Sequence, residues 1–142
     1  MKPNELPAVV DAFAPAHAES DARRRFSGVA RLYGAAGSAR LSAAHVVVVG
    51  IGGVGSWTAE ALARSGVGRI TLVDLDHIAE SNTNRQIHAL TENFGRAKVE
   101  AMAQRCRAIH PAMRIDCIEE FVTPENVAAL LPACDAVIDC ID

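Results

Sequence analysis

The sequence predicts an α/β fold with a doubly wound, mainly parallel sheet. Two short runs rich in β-branched residues, 44–49 and 69–73, flank a glycine-rich turn and an alanine-rich stretch at 56–64. This order, strand, turn, helix, strand, is that of a βαβ unit. Half of the residues are hydrophobic but only 4% are aromatic, so the core is expected to be aliphatic. Such a core suits strands that are buried on both faces of a parallel sheet.

The region before the first strand is predicted to be a tail followed by short helices. Residues 1–16 hold three prolines and show no amphipathic period, and we expect a flexible tail there. Residues 17–142 are expected to form one domain, with short helices over 17–41. This stretch is rich in arginine, with Arg23, Arg24, Arg25 and Arg31. They either form a solvated helical face or reach a phosphate or a partner subunit.

The glycines after the first strand predict a nucleotide site. Gly50 permits a tight turn, and Gly52 and Gly53 have no Cβ, so that a phosphate can approach the backbone amides. Gly55 lets the following helix pack closely, and the helix N-terminus attracts anions. Asp74 follows about 20 residues later, where a carboxylate accepts hydrogen bonds from ribose hydroxyls. The combination predicts a Rossmann-like nucleotide-binding βαβ unit.

The remaining segments complete the alternating pattern. Residues 77–90 are polar and favour turns, and we expect a structured loop at the carboxyl edge of the sheet. A helix is predicted over about 96–109, then a strand near 113–118. A further helix is predicted from Pro124, at its first position, to about Leu131. The last strand is predicted near 135–140.

Composition excludes several classes of protein. The net charge of −3 gives no overall nucleic-acid signature, and no apolar run reaches membrane-spanning length. We therefore expect a cytoplasmic protein. The four cysteines form no C-x-x-C pair, which leaves zinc-site and thioredoxin-like interpretations without support. Because the chain stops directly after a predicted strand, where such sheets place their sites, we expect it to be the front part of a longer protein.

Two cations favour a nucleoside triphosphate over a dinucleotide. Arg85 lies in the loop after the second strand, and Lys98 lies in the first turns of the next helix. A hydride-transferring domain needs the glycines and Asp74 but neither of these cations, whereas a leaving pyrophosphate needs both. Asp76 and Asp142, at two strand ends, are candidates to hold Mg²⁺. From spacing alone, any single one of these side chains is better explained as a surface charge, and it is the set together that favours a nucleotide site.

The motifs together resemble the adenylating domain of the ubiquitin-activating-like superfamily. The resemblance rests on residues 50–56, 74–76, 81–86 and 139–142 with Lys98, and it extends from about Arg25 to the end. Within that superfamily, residues 31–34, 50–57 and 82–90 are most similar to the branch that cyclises the threonylcarbamoyl group on a tRNA adenosine beside the anticodon. The resemblance therefore implies tRNA as the substrate.

The resemblance also implies the cofactors and the roles of the site residues. ATP and Mg²⁺ are the implied cofactors, with Arg85, Lys98 and Asp142 as catalytic residues and Asp142 as the metal ligand. The implied nucleotide-binding residues are Gly50, Gly52, Gly53, Gly55, Asp74, Asp76, Ser81, Asn82, Asn84, Arg85 and Lys98. In the implied reaction a carboxylate attacks the α-phosphate and pyrophosphate leaves. The adenylate then closes on its own carbamoyl group and releases AMP.

A homodimer with a shared site is implied as well. Sulfur-carrier-activating relatives place an arginine two residues after an aromatic and use it on the partner subunit's ATP. The aromatic here is Phe26 and the matching position is Gly28, which leaves Arg25 or Arg31 as substitutes. The alternative function is sulfur-carrier-protein adenylyltransferase, with a carrier-protein or sulfur-transfer partner. An NAD-dependent oxidoreductase is a more remote alternative.

Overall fold

A four-stranded, wholly parallel sheet forms the centre of the molecule. The structure is a computed structural model that describes residues 21–141. Its strands are β1 (His45–Val49), β2 (Arg69–Val73), β3 (Arg114–Ile118) and β4 (Ala136–Asp139), in the order β3-β2-β1-β4. All three pairings are parallel, which confirms the predicted fold class. The predicted tail at 1–16 and Asp142 lie outside the described residues.

Both faces of β1 are buried, as its uninterrupted run of valines predicts. Val46 and Val48 pack with Ile70 and Leu72 in the larger core cluster. Val47 and Val49 pack with Val73 on the opposite face, against partly buried side chains that include Leu130 and Leu131. The core is thus aliphatic on both sides of the sheet, and the arrangement is doubly wound.

The helices are α1 (Ser27–Ala43), α2 (Gly55–Arg64), α3 (Lys98–Ile109) and α4 (Val127–Leu130). Residues 21–25 are also helical, and α1 is kinked at Gly34, where φ is 73°. The prediction of short helices over 17–41 is therefore confirmed for the described part of that range. Within residues 21–141, no helix is long and apolar enough to cross a membrane.

The helix predicted to begin at Pro124 is shorter than expected. The Thr123 backbone N–H donates to Asn126 Oδ1 at 2.8 Å, and the Asn126 backbone N–H donates to Thr123 Oγ1 at 3.3 Å. These reciprocal bonds form a capping box with Thr123 at the N-cap, and the Val127 N–H donates to the Thr123 carbonyl oxygen at 3.0 Å, as at the start of a helix. The cap agrees with a start at Pro124, but residues 124–126 form a turn and the regular helix α4 covers only Val127–Leu130.

A buried carboxylate joins α2 to α3. Glu60 on α2 accepts from Arg64 on the same helix at 2.8 Å and from both Nε and Nη2 of Arg105 on α3. Burial alone would raise the pKa of Glu60, but the hydrogen bonds from Arg105 and Arg64 outweigh it and the pKa is lowered. We call Glu60, Arg64 and Arg105 the Glu60 cluster. It fixes the packing of the two helices that cover one face of the sheet.

Candidate functional site

A cavity of about 360 Å³ opens at the carboxyl edge of the sheet. Parallel strands end at the same edge, so the turn after β1 and the chain after β2 meet there. Among the residues that line the cavity are Gly50, Gly52, Gly53, Asp74, Asp76, Asn82, Arg85, Gln86, Lys98 and Phe121. The structure therefore brings most of the predicted site residues into one place.

The glycine turn has steric reasons for its composition. Gly50 has φ +84°, and a Cβ there would lie 2.9 Å from the Cys140 carbonyl oxygen. A Cβ on Gly55 would lie only 1.7 Å from the Gly50 carbonyl oxygen. The first residue of α2 therefore has to be glycine for the helix to pack this closely against the turn. Both glycines are required by the backbone itself, whether or not a ligand is bound.

Asp74 holds the glycine turn against the end of β2. Its Oδ2 accepts from the Ile51 backbone N–H at 2.6 Å, and its Oδ1 accepts from the Asp76 backbone N–H at 2.8 Å. A carboxylate oxygen has two lone pairs, so each oxygen can still accept a second hydrogen bond. Asp74 is consequently fixed at the cavity wall with capacity for a hydroxyl group, while ribose binding remains a prediction.

Lys98 is a buried cation at the start of α3. Its side chain is 8% exposed, and Nζ donates to Asp76 Oδ2 at 2.9 Å, whereas the Asp76 side chain is 64% exposed. The Lys98 backbone N–H also donates to the Asp76 carbonyl oxygen at 3.0 Å. An ammonium group has three donors, and Asp76 uses one of them. Lys98 is therefore held at the cavity with further donor capacity.

Arg85 packs against the glycine turn at Gly53. A Cβ on Gly53 would lie 3.3 Å from Arg85 Cγ. The guanidinium donates through Nη1 to the Ser81 carbonyl oxygen at 3.1 Å and to Asn84 Oδ1 at 2.9 Å. Trp57 Nε1 donates to the Arg85 carbonyl oxygen at 2.9 Å, which ties the loop to α2. The arginine is exposed, but its backbone and its head group are both positioned.

Three predicted nucleotide-binding residues have local structural contacts. Ser81 and Asn84 bond to Arg85 and are not among the residues that line the cavity. Asn82 lines it, yet its Oδ1 accepts from the Ala79 backbone N–H at 2.9 Å and stabilises the turn. Nucleotide contact by these three side chains stays a prediction. Their observed effect is to shape the loop that carries Arg85.

The predicted metal site depends on residues that the structure describes only in part. Asp142, the predicted ligand and catalytic residue, lies outside the described residues. Within 21–141, no group of three or more His, Cys, Asp or Glu side chains is arranged to hold a metal ion. Mg²⁺ in nucleotide sites is usually held by one or two carboxylates and the phosphates themselves. Asp76, an exposed carboxylate at the cavity, fits such a site.

Two buried polar residues of the site were not singled out from the sequence. Gln86 is 6% exposed and lines the cavity, and its Oε1 has no hydrogen-bond partner among the described residues. His88 is 1% exposed, with Nε2 2.8 Å from the Ile51 carbonyl oxygen behind the glycine turn. Burial lowers the pKa of His88 and keeps the ring neutral at neutral pH. Both lie within residues 82–90, one of the stretches that carry the resemblance, but spacing alone does not separate either residue from those of an ordinary loop.

A family model matches most of the chain. Residues 25–142 match the model described as the ThiF family. The match begins where the resemblance identified from the sequence begins, and it includes the glycine turn and the cavity-lining residues.

Curated proteins and solved structures agree with that match. The chain is 56% identical over 125 residues to the tRNA threonylcarbamoyladenosine dehydratase of Escherichia coli, covering 87% of this chain and 47% of the relative. It is 37% identical to a sulfur carrier protein adenylyltransferase of Thermus thermophilus, over 77% of this chain and 40% of the relative. A crystal structure of the E. coli dehydratase, TcdA, in complex with ATP superimposes with a TM-score of 0.83 at 55% identity, over 84% of this chain and 50% of that one. The chain thus spans about half the length of the E. coli relative.

Proposed function

Because the chain belongs to the ThiF family, we propose that the protein containing it uses ATP to adenylate a carboxylate. The observation that carries this proposal is that Arg85 and Lys98 line the same cavity as the glycine turn and Asp74. A cavity built for a hydride-transferring dinucleotide has no need of a guanidinium and an ammonium at this edge. A cavity for a nucleoside triphosphate needs both cations, because the outer phosphates carry most of the charge of that ligand.

The charges of the site suit the departure of pyrophosphate. A substrate carboxylate oxygen forms a bond to the α-phosphorus, and the bond between that phosphorus and pyrophosphate breaks. Donors fixed in place before the reaction stabilise the charge that develops on the leaving group without reorganising. Lys98 is fixed by Asp76, and Arg85 by Ser81 and Asn84. Both cations therefore meet the requirement of preorganisation. Magnesium bound with ATP would neutralise the phosphates further, and Asp76 and Asp142 are the residues proposed to hold it.

The carboxylate proposed as substrate is that of the threonylcarbamoyl group on a tRNA adenosine. The E. coli relative is named for this group, and at 56% identity it is more similar to the chain than the sulfur-carrier relative is at 37%. After adenylation the group closes on its own carbamoyl and releases AMP. Ring closure within one group needs positioning more than it needs a nucleophile. The reaction therefore does not require Cys106 as a nucleophile. That thiol is buried on α3, and burial raises its pKa to about 12.

Two parts of the proposal concern partners. We include a homodimer, in which an arginine of the N-terminal region reaches the partner subunit's nucleotide. Arg25 bonds to Asp21 at 2.6 Å and to the Ile109 carbonyl oxygen at 3.3 Å, which ties it to its own chain. Arg31 is exposed on α1 and is the better candidate. Arg23 and Arg24, also exposed, are proposed to contribute to tRNA binding.

Pyrophosphate exchange on the full-length protein tests the reaction and its substrate together. We expect exchange of labelled pyrophosphate into ATP to depend on threonylcarbamoyl-modified tRNA. Dependence on the C-terminal tail of a sulfur-carrier protein would favour the adenylyltransferase alternative instead. The absence of exchange with either acceptor would contradict carboxylate adenylation.

Calorimetry tests the nucleotide. ATP is expected to bind more tightly than NAD, and Arg85→Ala is expected to weaken ATP binding by about 1.5–3 kcal/mol through loss of a charge-assisted hydrogen bond. The matched control is Arg107→Ala, an exposed arginine on α3 that does not line the cavity. Tighter binding of NAD than of ATP, or equal ATP affinity in both variants, would refute the assignment.

A further inference from the structure

Gln86 keeps a buried amide where packing alone would favour an apolar side chain. It is 6% exposed and lies at the cavity wall, and its Oε1 has no hydrogen-bond partner among the described residues. A buried polar atom with an unmade bond lowers the stability of the native state, and methionine of similar size would avoid that loss. Because Oε1 is an acceptor and a phosphate offers it no proton, an amide retained at this cost indicates a ligand for the Nε2 donors of the same group.

The amide faces one particular glycine. Gln86 Nε2 lies 3.8 Å from the position that a Cβ on Gly52 would occupy, while Arg85 Cγ lies 3.3 Å from the corresponding position on Gly53. Two consecutive loop residues thus face two consecutive glycines. The register is held by the backbone, because the Gln86 N–H donates to the Asn82 carbonyl oxygen at 3.0 Å and the Ile87 N–H donates to Ser56 Oγ at 3.3 Å.

The order of residues along the glycine turn can be compared with the order of groups along a nucleotide. Asp74, the proposed ribose acceptor, is bonded to the backbone N–H of Ile51, and the chain then runs through Gly52 to Gly53. In a nucleoside triphosphate the α-phosphate follows the ribose, and the β- and γ-phosphates follow it. A nucleotide anchored at Asp74 therefore brings its α-phosphate beside Gly52 and its outer phosphates beside Gly53.

We propose that Gln86 binds the α-phosphate through its amide N–H, while Arg85 binds the outer phosphates. The proposal deepens the proposed function and rests on it. A carboxylate oxygen bonds to the α-phosphorus as the bond to pyrophosphate breaks, and a neutral donor at the non-bridging oxygens stabilises that centre without retaining the leaving group. Gln86 then acts at the phosphorus that is attacked, and Arg85 acts on the group that leaves.

Calorimetry with adenosine, AMP and ATP separates the two residues in the full-length protein. Gln86→Met is expected to weaken AMP and ATP binding by the same factor, about tenfold, and to leave adenosine binding unchanged. Arg85→Ala is expected to weaken ATP binding only. The matched control is Gln104→Met, an exposed glutamine on α3, and it is expected to change none of the three affinities.

A second readout distinguishes ligand binding from a structural role. The ligand-free Gln86→Met protein is expected to unfold at the same temperature as the wild type or higher, because the buried, unpaired Oε1 is removed. Gln86→Asn, which keeps an amide but withdraws it by one methylene, is expected to lose AMP affinity as well. A lower unfolding temperature with unchanged AMP affinity would overturn the proposal, as would a loss confined to ATP. Wild-type protein that binds ATP no more tightly than adenosine would instead refute the proposed function, so the two failures are distinguishable.

Discussion

Glu60 and Lys98 are both charged side chains with 8% exposure, yet their surroundings differ in kind. Glu60 is enclosed by two arginines from α2 and α3, which between them give three hydrogen bonds to its two oxygens. Lys98 has one carboxylate partner, Asp76, and that partner is 64% exposed at the cavity. The first charge is neutralised within the protein, whereas Lys98 Nζ bonds to one exposed carboxylate at the cavity and has further donor capacity.

We propose that this difference distinguishes charges that serve packing from charges that serve a reaction. A buried ion that serves packing needs partners for all its lone pairs or protons, because each one left unpaired costs free energy. A buried ion that serves a reaction must leave some of them for the substrate. Gln86 lines the same cavity and has an unpaired oxygen, so it resembles Lys98 in having hydrogen-bonding capacity that the described residues do not use. If the criterion is right, mutations in the two regions should affect different properties of the protein.

Lys98→Met is expected to have the largest effect, and on activity. Removing one preorganised donor from a developing negative charge typically slows a reaction about 10²-fold, and we expect that loss in pyrophosphate exchange. The free energy of unfolding should change little, because the remaining partner, Asp76, is exposed and can be hydrated. Exchange kinetics and urea denaturation of the same preparation measure the two properties. A large loss of stability at unchanged rate would make Lys98 another structural charge and remove the contrast.

Glu60→Gln should show the reverse pattern. Breaking the Glu60 cluster leaves two arginines that are 61% and 33% exposed, so hydration offsets part of the loss, and we expect about 2 kcal/mol less stability. The pKa of Glu60 is lowered, so its contribution is complete above the ordinary value and disappears as the pH falls through the folded value. Urea denaturation at neutral and acid pH should show the variant less stable than the wild type at neutral pH and closer to it in acid. Unchanged stability together with weakened ATP binding would contradict the assignment of Glu60 to packing.

The sequence predicted the sheet well because the strands are specified locally. Uninterrupted β-branched runs such as 46–49 indicate burial on both faces, and the glycines mark the turn at the carboxyl edge. The contacts inside the site were not predictable in this way. Asp74 bonding to Ile51 and Trp57 bonding to Arg85 join residues more than 20 positions apart, and these contacts decide what faces the cavity. The sequence predicted Arg85 as a site residue, but it gave no sign that Ser81 and Asn84 hold that arginine or that Gln86 is buried beside it.

His88 offers a smaller test, since it is a buried polar group that is neutral. Burial lowers its pKa, so the unfolded chain takes up a proton at higher pH than the native protein does. Stability is therefore expected to fall as the pH drops below the ordinary histidine value of about 6.5. His110 has its pKa lowered in the same direction, chiefly by burial, so His88→Asn should reduce this pH dependence without abolishing it. The control is His77→Asn, an exposed histidine, and an equal reduction in both variants would show that burial of His88 is not the cause.

Asp76→Asn is expected to have the smallest effect, and it distinguishes positioning of Lys98 from binding of magnesium. If Asp76 serves only to hold Lys98, its amide replacement still accepts a hydrogen bond from Nζ, and the magnesium requirement of pyrophosphate exchange should not change. If it also helps to hold the metal that accompanies ATP, loss of the carboxylate should raise the magnesium concentration for half-maximal exchange a few-fold, because Mg²⁺ prefers charged oxygen ligands. We expect the second result, since the carboxylate is 64% exposed at the cavity and only its Oδ2 bonds to Lys98. The matched control is Asp116→Asn on β3, whose carboxylate is paired with Arg69 and does not line the cavity. An unchanged magnesium requirement in the Asp76 variant would restrict this residue to positioning Lys98 and leave the metal to Asp142 and the phosphates.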